Sequence, residues 1–171
     1  PLAELKTLTS VTVIRGNVVD LTPLSKLEKL NRLELGGNTG IFDIGPLKNL
    51  TALTYLDLGQ CGKIDDISPL KGLTNLESLY IGGTSVSDLS ALEDMKALET
   101  LDVSHTDINT HLPLSNLMNL KKLYISMTDV DDLSPLSALP QLEYLNAMGI
   151  KTKDASPVSH VETGDGVFYN R

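Results

Sequence analysis

A Pro-Leu dipeptide, or a close variant of it, returns about every 22 residues along almost the whole chain. Its first residue lies at positions 1, 23, 46, 69, 91, 113, 135 and 157, so the successive steps are 22, 23, 23, 22, 22, 22 and 22 residues. A fixed period of this length is the signature of a repeat array, in which each unit buries its apolar side chains against the next. We predict seven to eight stacked repeats that form a single domain over residues 1–171.

Each repeat contains two hydrophobic periods. The segment P-L-x-x-L-x-x-L has a period of three, which suits a short 3₁₀ turn because residues i and i+3 eclipse there. Ser68 and Ser134, each followed by proline, are predicted to be the N-caps of such turns. The segment x-L-x-L that follows alternates as a β-strand does. The predicted strands are Val11–Val13, Leu33–Leu35, Leu56–Leu58, Leu79–Ile81, Leu101–Val103, Leu123–Ile125, Leu145–Ala147 and a frayed eighth copy, Val167–Tyr169.

The segments "DDISPLKGLTNLESLYI" (65–81) and "DDLSPLSALPQLEYLNA" (131–147) resemble the 22-residue class of leucine-rich repeat that is found in internalins and related bacterial surface proteins. The resemblance covers nearly the full length. It implies a curved α/β solenoid with a parallel sheet on the concave face and short helical turns on the convex face. It also implies a non-enzymatic, protein-binding module from a secreted or surface-attached bacterial protein that acts in adhesion or host contact. A looser similarity to the repeats of nuclear phosphatase regulators implies a cytoplasmic regulatory scaffold instead.

The formal net charge of −8 and the residue spacings exclude several classes of function. Nucleic-acid binding needs clustered lysine and arginine, and so does docking onto anionic lipid. No apolar run approaches the roughly 20 residues of a membrane-spanning helix. No catalytic or metal-ligand motif is present, so the sequence predicts neither an enzyme nor a cofactor. The expected oligomeric state is a monomer.

The first residues indicate a piece of a longer protein, because the chain does not start with methionine and opens within a repeat. We expect an N-terminal cap and flanking domains in the full protein. Besides the binding module, two further functions stay open. The array could be the targeting part of a larger enzyme, or a spacer that holds other domains apart.

Two recurring polar positions are predicted to be structural. Cys61 stands where neighbouring repeats have asparagine or threonine, and the resemblance implies an inward-facing residue that bonds the backbone of the adjacent turn. A row of aspartates recurs once per repeat just before the helical turn. We expect these carboxylates to accept hydrogen bonds from local backbone N–H groups, with a calcium-binding edge as the alternative. The row consists of Asp20, Asp43, Asp66, Asp88, Asp132 and Asp154.

The residues on either side of each inward leucine point away from the core, because side chains alternate along a strand. Five of the seven tyrosines and phenylalanines fall in these two rows. Tyrosine and arginine often dominate binding energy at interfaces, although cross-strand packing also favours aromatic residues there. The predicted partner-binding residues are Arg32, Glu34, Tyr55, Asp57, Tyr80, Asp102, His105, Lys122, Tyr124, Tyr144, Asn146 and Phe168.

The charge of this face and its glycines add detail to the prediction. Glu34, Asp57 and Asp102 give it an acidic line, which favours a protein partner that carries basic residues. Glycines follow the early strands, in the pairs at 36–37 and 82–83 and at Gly59. They either allow special backbone conformations or let the backbone of a partner approach closely.

Overall fold

Eight short β-strands form one parallel sheet in a computed structural model, which describes residues 4–109 and 114–163. Each strand pairs with the next one in the sequence, so the order in the sheet is the order in the chain. This is the topology of a solenoid, and it confirms the predicted fold. The strands are β1 (Ser10–Thr12), β2 (Arg32–Glu34), β3 (Tyr55–Asp57), β4 (Ser78–Tyr80), β5 (Thr100–Asp102), β6 (Lys122–Tyr124), β7 (Tyr144–Asn146) and β8 (Glu162–Thr163).

The strands stack without a shift in register. The central leucine of β3, Leu56, pairs with Leu33 on one side and with Leu79 on the other. Each of the first seven strands begins one residue before the predicted start. The residue that follows the strand still belongs to the ladder, since Leu58 N–H donates to the carbonyl of Tyr80 at 2.8 Å.

The last strand lies earlier in the chain than predicted. β8 comprises Glu162–Thr163 and pairs with Tyr144 and Leu145 of β7, whereas the predicted segment Val167–Tyr169 lies outside the described residues. Counted by the 22-residue period of the sequence, Gly164 is the residue that corresponds to the buried Leu142 of the seventh repeat. The last repeat therefore lacks the leucine that is buried ahead of the strand in other repeats, and its strand follows sooner.

Short 3₁₀ turns occupy the side of the solenoid opposite the sheet, as the period of three predicts. Six lie wholly in the described part of the chain, and each starts one residue before the Pro-Leu element or its variant Ala-Leu or Pro-Val. The turns are Thr22–Leu24, Gly45–Leu47, Ser68–Leu70, Ser90–Leu92, Ser134–Ala138 and Ser156–Val158.

The prediction that serine caps these turns is wrong. Ser68 and Ser134 are the first residues inside their turns, and the capping positions before them make no side-chain hydrogen bond. An aspartate two residues ahead of each serine takes the role instead. Asp66 Oδ1 accepts a hydrogen bond from Ser68 N–H at 2.8 Å, and its other oxygen accepts one from the Ser68 hydroxyl at 3.0 Å.

All six aspartates of the predicted row make the same backbone contact, at 2.7–2.8 Å. The local capping interpretation is therefore confirmed, because each carboxylate satisfies an N–H group at the start of a turn that has no partner within it. Within residues 4–109 and 114–163, no group of three or more His, Cys, Asp or Glu side chains is placed to hold a metal ion.

The capping aspartates should make the array less stable in acid. The hydrogen bonds from the residue two positions later lower the pKa values of Asp20, Asp88, Asp132 and Asp154. A carboxyl whose pKa is lower in the folded state contributes stability above its unfolded pKa and loses it as the pH falls through the folded one. We expect Tm, measured by calorimetry, to fall between pH 7 and about pH 3.

Asparagine variants isolate this effect. The Asp88→Asn/Asp132→Asn variant keeps one acceptor oxygen at each position for the backbone N–H group and removes the charges, so its Tm should fall less over the same pH range. Asp57, whose burial raises its pKa, acts with the opposite sign but is common to both proteins. An equal loss of Tm in variant and wild type would show that the caps do not cause the acid sensitivity.

The core between sheet and turns is aliphatic. The central leucines of β2 to β7 are fully buried, and full burial of a leucine stabilises a fold by about 1.5–3 kcal/mol. The inward polar position is also buried. Cys61 Sγ donates to the Leu35 carbonyl of the preceding repeat at 3.4 Å, and burial raises the pKa of its thiol. The structural role of Cys61 is confirmed, since a nucleophilic cysteine needs a lowered pKa and access to solvent.

Asn38 occupies the same position and links two repeats through four hydrogen bonds. Its Nδ2 donates to the carbonyls of Val13 and Leu35, both at 2.6 Å. Its Oδ1 accepts from the N–H groups of Gly16 and Val18, both at 2.9 Å. The threonines of later repeats bond within their own repeat, as Thr84 does to Ile81 at 2.6 Å. No helix within the described ranges is long and apolar enough to cross a membrane.

Candidate protein-binding face

The side of the sheet that faces away from the core carries two rows of side chains, which together we call the open sheet face. All of these residues are exposed or half-buried. Parallel strands lie about 4.8 Å apart, so neighbours within a row are close enough to interact. The first row is Ser10, Arg32, Tyr55, Ser78, Thr100, Lys122, Tyr144 and Glu162. The second row is Thr12, Glu34, Asp57, Tyr80, Asp102, Tyr124 and Asn146.

The structure brings most of the predicted binding residues together on this face. Ten of them stand in the two rows, and His105 follows β5 with an exposed side chain and a φ of 54°. Phe168 lies outside the described residues. The ten are Arg32, Tyr55, Lys122 and Tyr144 of the first row, with Glu34, Asp57, Tyr80, Asp102, Tyr124 and Asn146 of the second.

Tyr55 and Tyr80 form a diagonal pair between β3 and β4. Their ring centroids are 5.4 Å apart and the ring planes are inclined by 41°, a tilted arrangement that suits the charge distribution of aromatic rings. Partial burial raises the pKa of both phenols. The guanidinium carbon of Arg32 lies 3.6 Å from the Tyr55 ring centroid, so a cation covers one end of the pair.

Arg32 is held there by a carboxylate of its own strand. Its Nε donates to Glu34 Oε1 at 2.8 Å, and the Thr12 hydroxyl donates to the same oxygen at 3.0 Å. The hydrogen bond from Arg32 lowers the pKa of Glu34. The charges of Arg32 and Glu34 are therefore paired within the chain, next to the Tyr55 ring.

A second tyrosine pair lies between β6 and β7. The ring centroids of Tyr124 and Tyr144 are 5.3 Å apart, with the planes inclined by 47°. The residues in register with them differ from those of the first pair, because Lys122 stands beside Tyr144 and Asn146 beside Tyr124. The face is thus acidic around β3 to β5 and lacks a second-row carboxylate on β6 and β7.

A depression of about 460 Å³ opens at the carboxyl ends of β3, β4 and β5. Two tyrosines, two glycines and two aspartates are among the residues that line it, and we call the part lined by the two glycines its floor. These residues are Tyr55, Tyr80, Gly59, Gly82, Asp57 and Asp102.

The two aspartates are fixed by backbone contacts. Asp57 Oδ1 accepts from Gly59 N–H at 2.8 Å, and Asp102 Oδ1 accepts from Ser104 N–H at 2.9 Å. Partial burial raises the pKa of Asp57, and the negative charges of Glu34 and Asp102 raise it further. The depression therefore favours positive charge.

Sequence reasoning missed two polar residues at the rim, Gln60 and Ser104. Gln60 and His105 belong to a row, recurring once per repeat, whose backbone is left-handed with φ between 51° and 76°. The sequence does contain a sign of this left-handed row, because glycine occurs in some repeats, and a long side chain in others, at the same position after the strand. The row is Arg15, Gly37, Gln60, Gly83, His105, Met127 and Gly149.

The left-handed backbone of this row shows which of the two predicted roles applies to two of the glycines. Gly83 has a φ of 71°, which L-residues adopt at a cost, and the Gln60 side chain occupies the place of its missing Cβ. A Cβ on Gly37 would lie 2.6 Å from Arg15 Cγ. At Gly37 and Gly83 the backbone interpretation is confirmed, since side chains of the preceding repeat already cover these glycines.

Similarity to known proteins agrees with the geometry. A family model described as leucine-rich repeats in two copies matches residues 28–72. A solved internalin C2 from Listeria monocytogenes is 30% identical, with a TM-score of 0.83, and the match covers 95% of this chain and 74% of that one. The chain belongs to the internalin family. A second structure, the internalin inlF of the same species, is 32% identical with a TM-score of 0.79, and the match covers 92% of this chain.

This internalin spans about half, 52%, of the length of inlF. A leucine-rich repeat protein of Leptospira interrogans is 17% identical, with a TM-score of 0.71 over 95% of this chain and 49% of its own, and it supports the fold alone. A search of curated proteins returned no match. This internalin is thus a leucine-rich repeat scaffold.

Proposed function

We propose that this internalin binds a protein ligand through its open sheet face, between β2 and β7, and catalyses no reaction. One observation carries the proposal. Four of the five tyrosines of the chain stand on this face in two pairs, with centroid distances of 5.4 and 5.3 Å. The buried hydrophobic core of residues 4–109 and 114–163 contains no aromatic side chain.

The placement of the rings supports binding because a tyrosine offers a large contact area and a hydroxyl while losing little side-chain entropy. The two pairs are already packed, so less ordering is needed when a ligand arrives. Cross-strand packing of the rings would stabilise the sheet without any ligand. The two explanations differ in whether alanine at these positions costs affinity or only stability.

Capture of ligands by immobilised protein tests the proposal. Wild type and the Tyr80→Ala/Tyr124→Ala variant would be exposed to surface proteins of candidate host cells, and bound proteins would be identified by mass spectrometry. The ligand held by wild type would then be purified and titrated by calorimetry. We expect the double variant to bind at least tenfold more weakly, since a hot-spot tyrosine contributes about 2 kcal/mol or more.

A matched control removes exposed apolar area elsewhere. Phe42 and Met118 are 61% and 50% exposed and lie outside the two rows of the open sheet face, so Phe42→Ala/Met118→Ala should bind as wild type does. Circular dichroism melts must first show that both variants fold. Equal retention of the ligand by all three proteins would exclude the open sheet face as the binding site, and capture of no ligand by wild type would favour a spacer.

The proposal extends to the parent protein. We place residues 1–171 as one monomeric repeat domain in a longer bacterial protein that is secreted or attached to the surface, and membership of the internalin family supports this location. Protease treatment of intact cells, with culture supernatant as the second sample, checks it by immunoblot. Protection of the protein inside intact cells would favour a cytoplasmic regulatory scaffold.

A further inference from the structure

We propose that the depression at the ends of β3, β4 and β5 receives an arginine side chain of the protein ligand, packed on Tyr80 between Asp57 and Asp102. The inference rests on the proposed function, because it names the chemistry that the ligand presents to one part of the same face. The geometry of the carboxylates, the glycines beside them and an arginine that the same face already holds on a tyrosine ring each support it.

The two carboxylates stand on either side of one ring. Tyr80 pairs in register with Asp57 of β3 and with Asp102 of β5, so the backbone of each aspartate is one strand spacing, about 4.8 Å, from that of Tyr80. Each aspartate uses Oδ1 for a backbone hydrogen bond. The Oδ2 atoms make no hydrogen bond or ion pair within the described part of the chain. That of Asp102 lies beside Gly82, and that of Asp57 lies beside Gly36 of the preceding repeat, so a guanidinium between them would draw the Asp57 carboxylate towards Tyr80.

The floor is shaped for these carboxylates. A Cβ on Gly59 would lie 3.1 Å from Asp57 Oδ1, and a Cβ on Gly82 would lie 3.0 Å from Asp102 Oδ1. Both distances are shorter than ordinary van der Waals contact. Glycine at these two positions therefore lets the aspartates lie against the floor, where they border the open volume above it.

The chain already holds one arginine on a tyrosine ring of this face. On β2 and β3, the guanidinium of Arg32 lies on the Tyr55 ring and bonds the Glu34 carboxylate. Tyr80 is not the repeat equivalent of Tyr55, since Tyr55 pairs in register with Ser78 and Tyr80 with Asp57. The two places share their chemistry, a tyrosine ring with carboxylates beside it, and the ring of Tyr80 has carboxylates on both neighbouring strands.

Within residues 4–109 and 114–163, no lysine or arginine supplies a cation to the depression. None of the residues that line the depression is a lysine or an arginine, and Arg32 is bound to Glu34. The charges that influence Tyr80 are those of Asp57 and Asp102, together with the phenols of Tyr55 and Tyr124. A ligand arginine would gain two carboxylates and a ring face in a partly desolvated site, where charge-assisted and cation–π contacts are strongest.

A small-molecule titration tests the site without knowledge of the ligand. The probe is N-acetylarginine amide, and its neutral isostere, N-acetylcitrulline amide, is the comparison. Binding is followed by the amide NMR shifts of Gly59, Gly82 and Ser104 in the folded protein. We expect saturable shifts with the arginine probe, with a Kd on the order of millimolar, and at least tenfold weaker binding of the citrulline probe.

Charge-removing variants complete the test. Asp57→Asn/Asp102→Asn should weaken binding of the arginine probe at least tenfold. The control Asp65→Asn/Asp94→Asn removes the same number of charges at exposed positions outside the depression and should bind the probe as wild type does. Equal binding of both probes, or binding that survives Asp57→Asn/Asp102→Asn, would overturn the inference.

The same variants separate this inference from the proposed function when they are applied to the captured ligand. Asp57→Asn/Asp102→Asn is expected to weaken ligand binding at least tenfold. If Tyr80→Ala/Tyr124→Ala loses the ligand and the aspartate variant keeps it, the arginine site fails and the binding face stands. If the arginine probe binds through the aspartates but the tyrosine variant keeps the ligand, the site exists and the proposed function fails.

Discussion

Replacing Asn38 with alanine is expected to unfold the first repeats of the array well before the others. The side chain is fully buried, and the change leaves the N–H groups of Gly16 and Val18 and the carbonyl of Val13 without their partner. The Leu35 carbonyl loses one donor but keeps the backbone N–H of residue 38 and Cys61 Sγ. Each buried polar group left unpaired costs about 1–3 kcal/mol. Because some of these groups can reach water, we expect a total loss of roughly 2–4 kcal/mol in the free energy of unfolding.

Amide hydrogen exchange shows where this loss falls. In a repeat array each unit contacts only its neighbours, so destabilisation stays local. Protection in β1 and β2 should decrease while that in β5 to β7 persists. Thr84→Val is the matched control, since Thr84 holds the same position but makes one bond inside its own repeat. A variant of Asn38 no less stable than the Thr84 variant would show that the bridge between repeats contributes little.

Leu79→Ala is expected to lower the free energy of unfolding by about 2–5 kcal/mol, the usual cost of a leucine-sized cavity in a rigid core. Leu79 is fully buried and lies in the middle of β4, with Leu56 and Leu101 beside it in register. Equilibrium unfolding in urea measures the change. The location also predicts broader unfolding transitions, because a weak repeat in the middle divides the array into two parts.

The same substitution at Leu5 provides the control. Leu5 is 50% exposed, so its truncation should change stability by less than about 0.5 kcal/mol. Leu79→Ala with a cost as small as that of Leu5→Ala would mean that the core around β4 relaxes to fill the cavity.

The repeat period predicted the fold because two constraints act together. Alternation around Leu56 leaves only one face of a strand for the core, and the period of 22–23 residues brings every such strand to the same place in the next unit. The ends of elements were less certain. Serine and aspartate are both good capping residues, so the pattern Asp-x-Ser-Pro at 66–69 does not by itself show which of the two bonds the backbone.

The binding face was predicted in composition but not in arrangement. Alternation places Tyr55 and Tyr80 on the open side of the sheet, yet their diagonal contact depends on side-chain rotamers that no periodicity encodes. The depression depends further on the backbone after the strands. Gly59 and Gly82 lie in the turns that follow β3 and β4, and these turns bring them against the aspartates. The alternating pattern of the strands ends before these residues, so it does not predict their position.

Because Cys61 is buried, the reactivity of its thiol measures how often the surrounding repeat opens. It is the only thiol of the chain, and its side chain has no exposed surface. A thiol reagent can therefore react only during the moments when this repeat separates from its neighbours. When closing is faster than labelling, the ratio of the labelling rate to that of an unfolded cysteine gives the opening equilibrium of the third repeat. Any ligand that clamps β3 to β5 would slow the reaction, without a mutation or an attached dye.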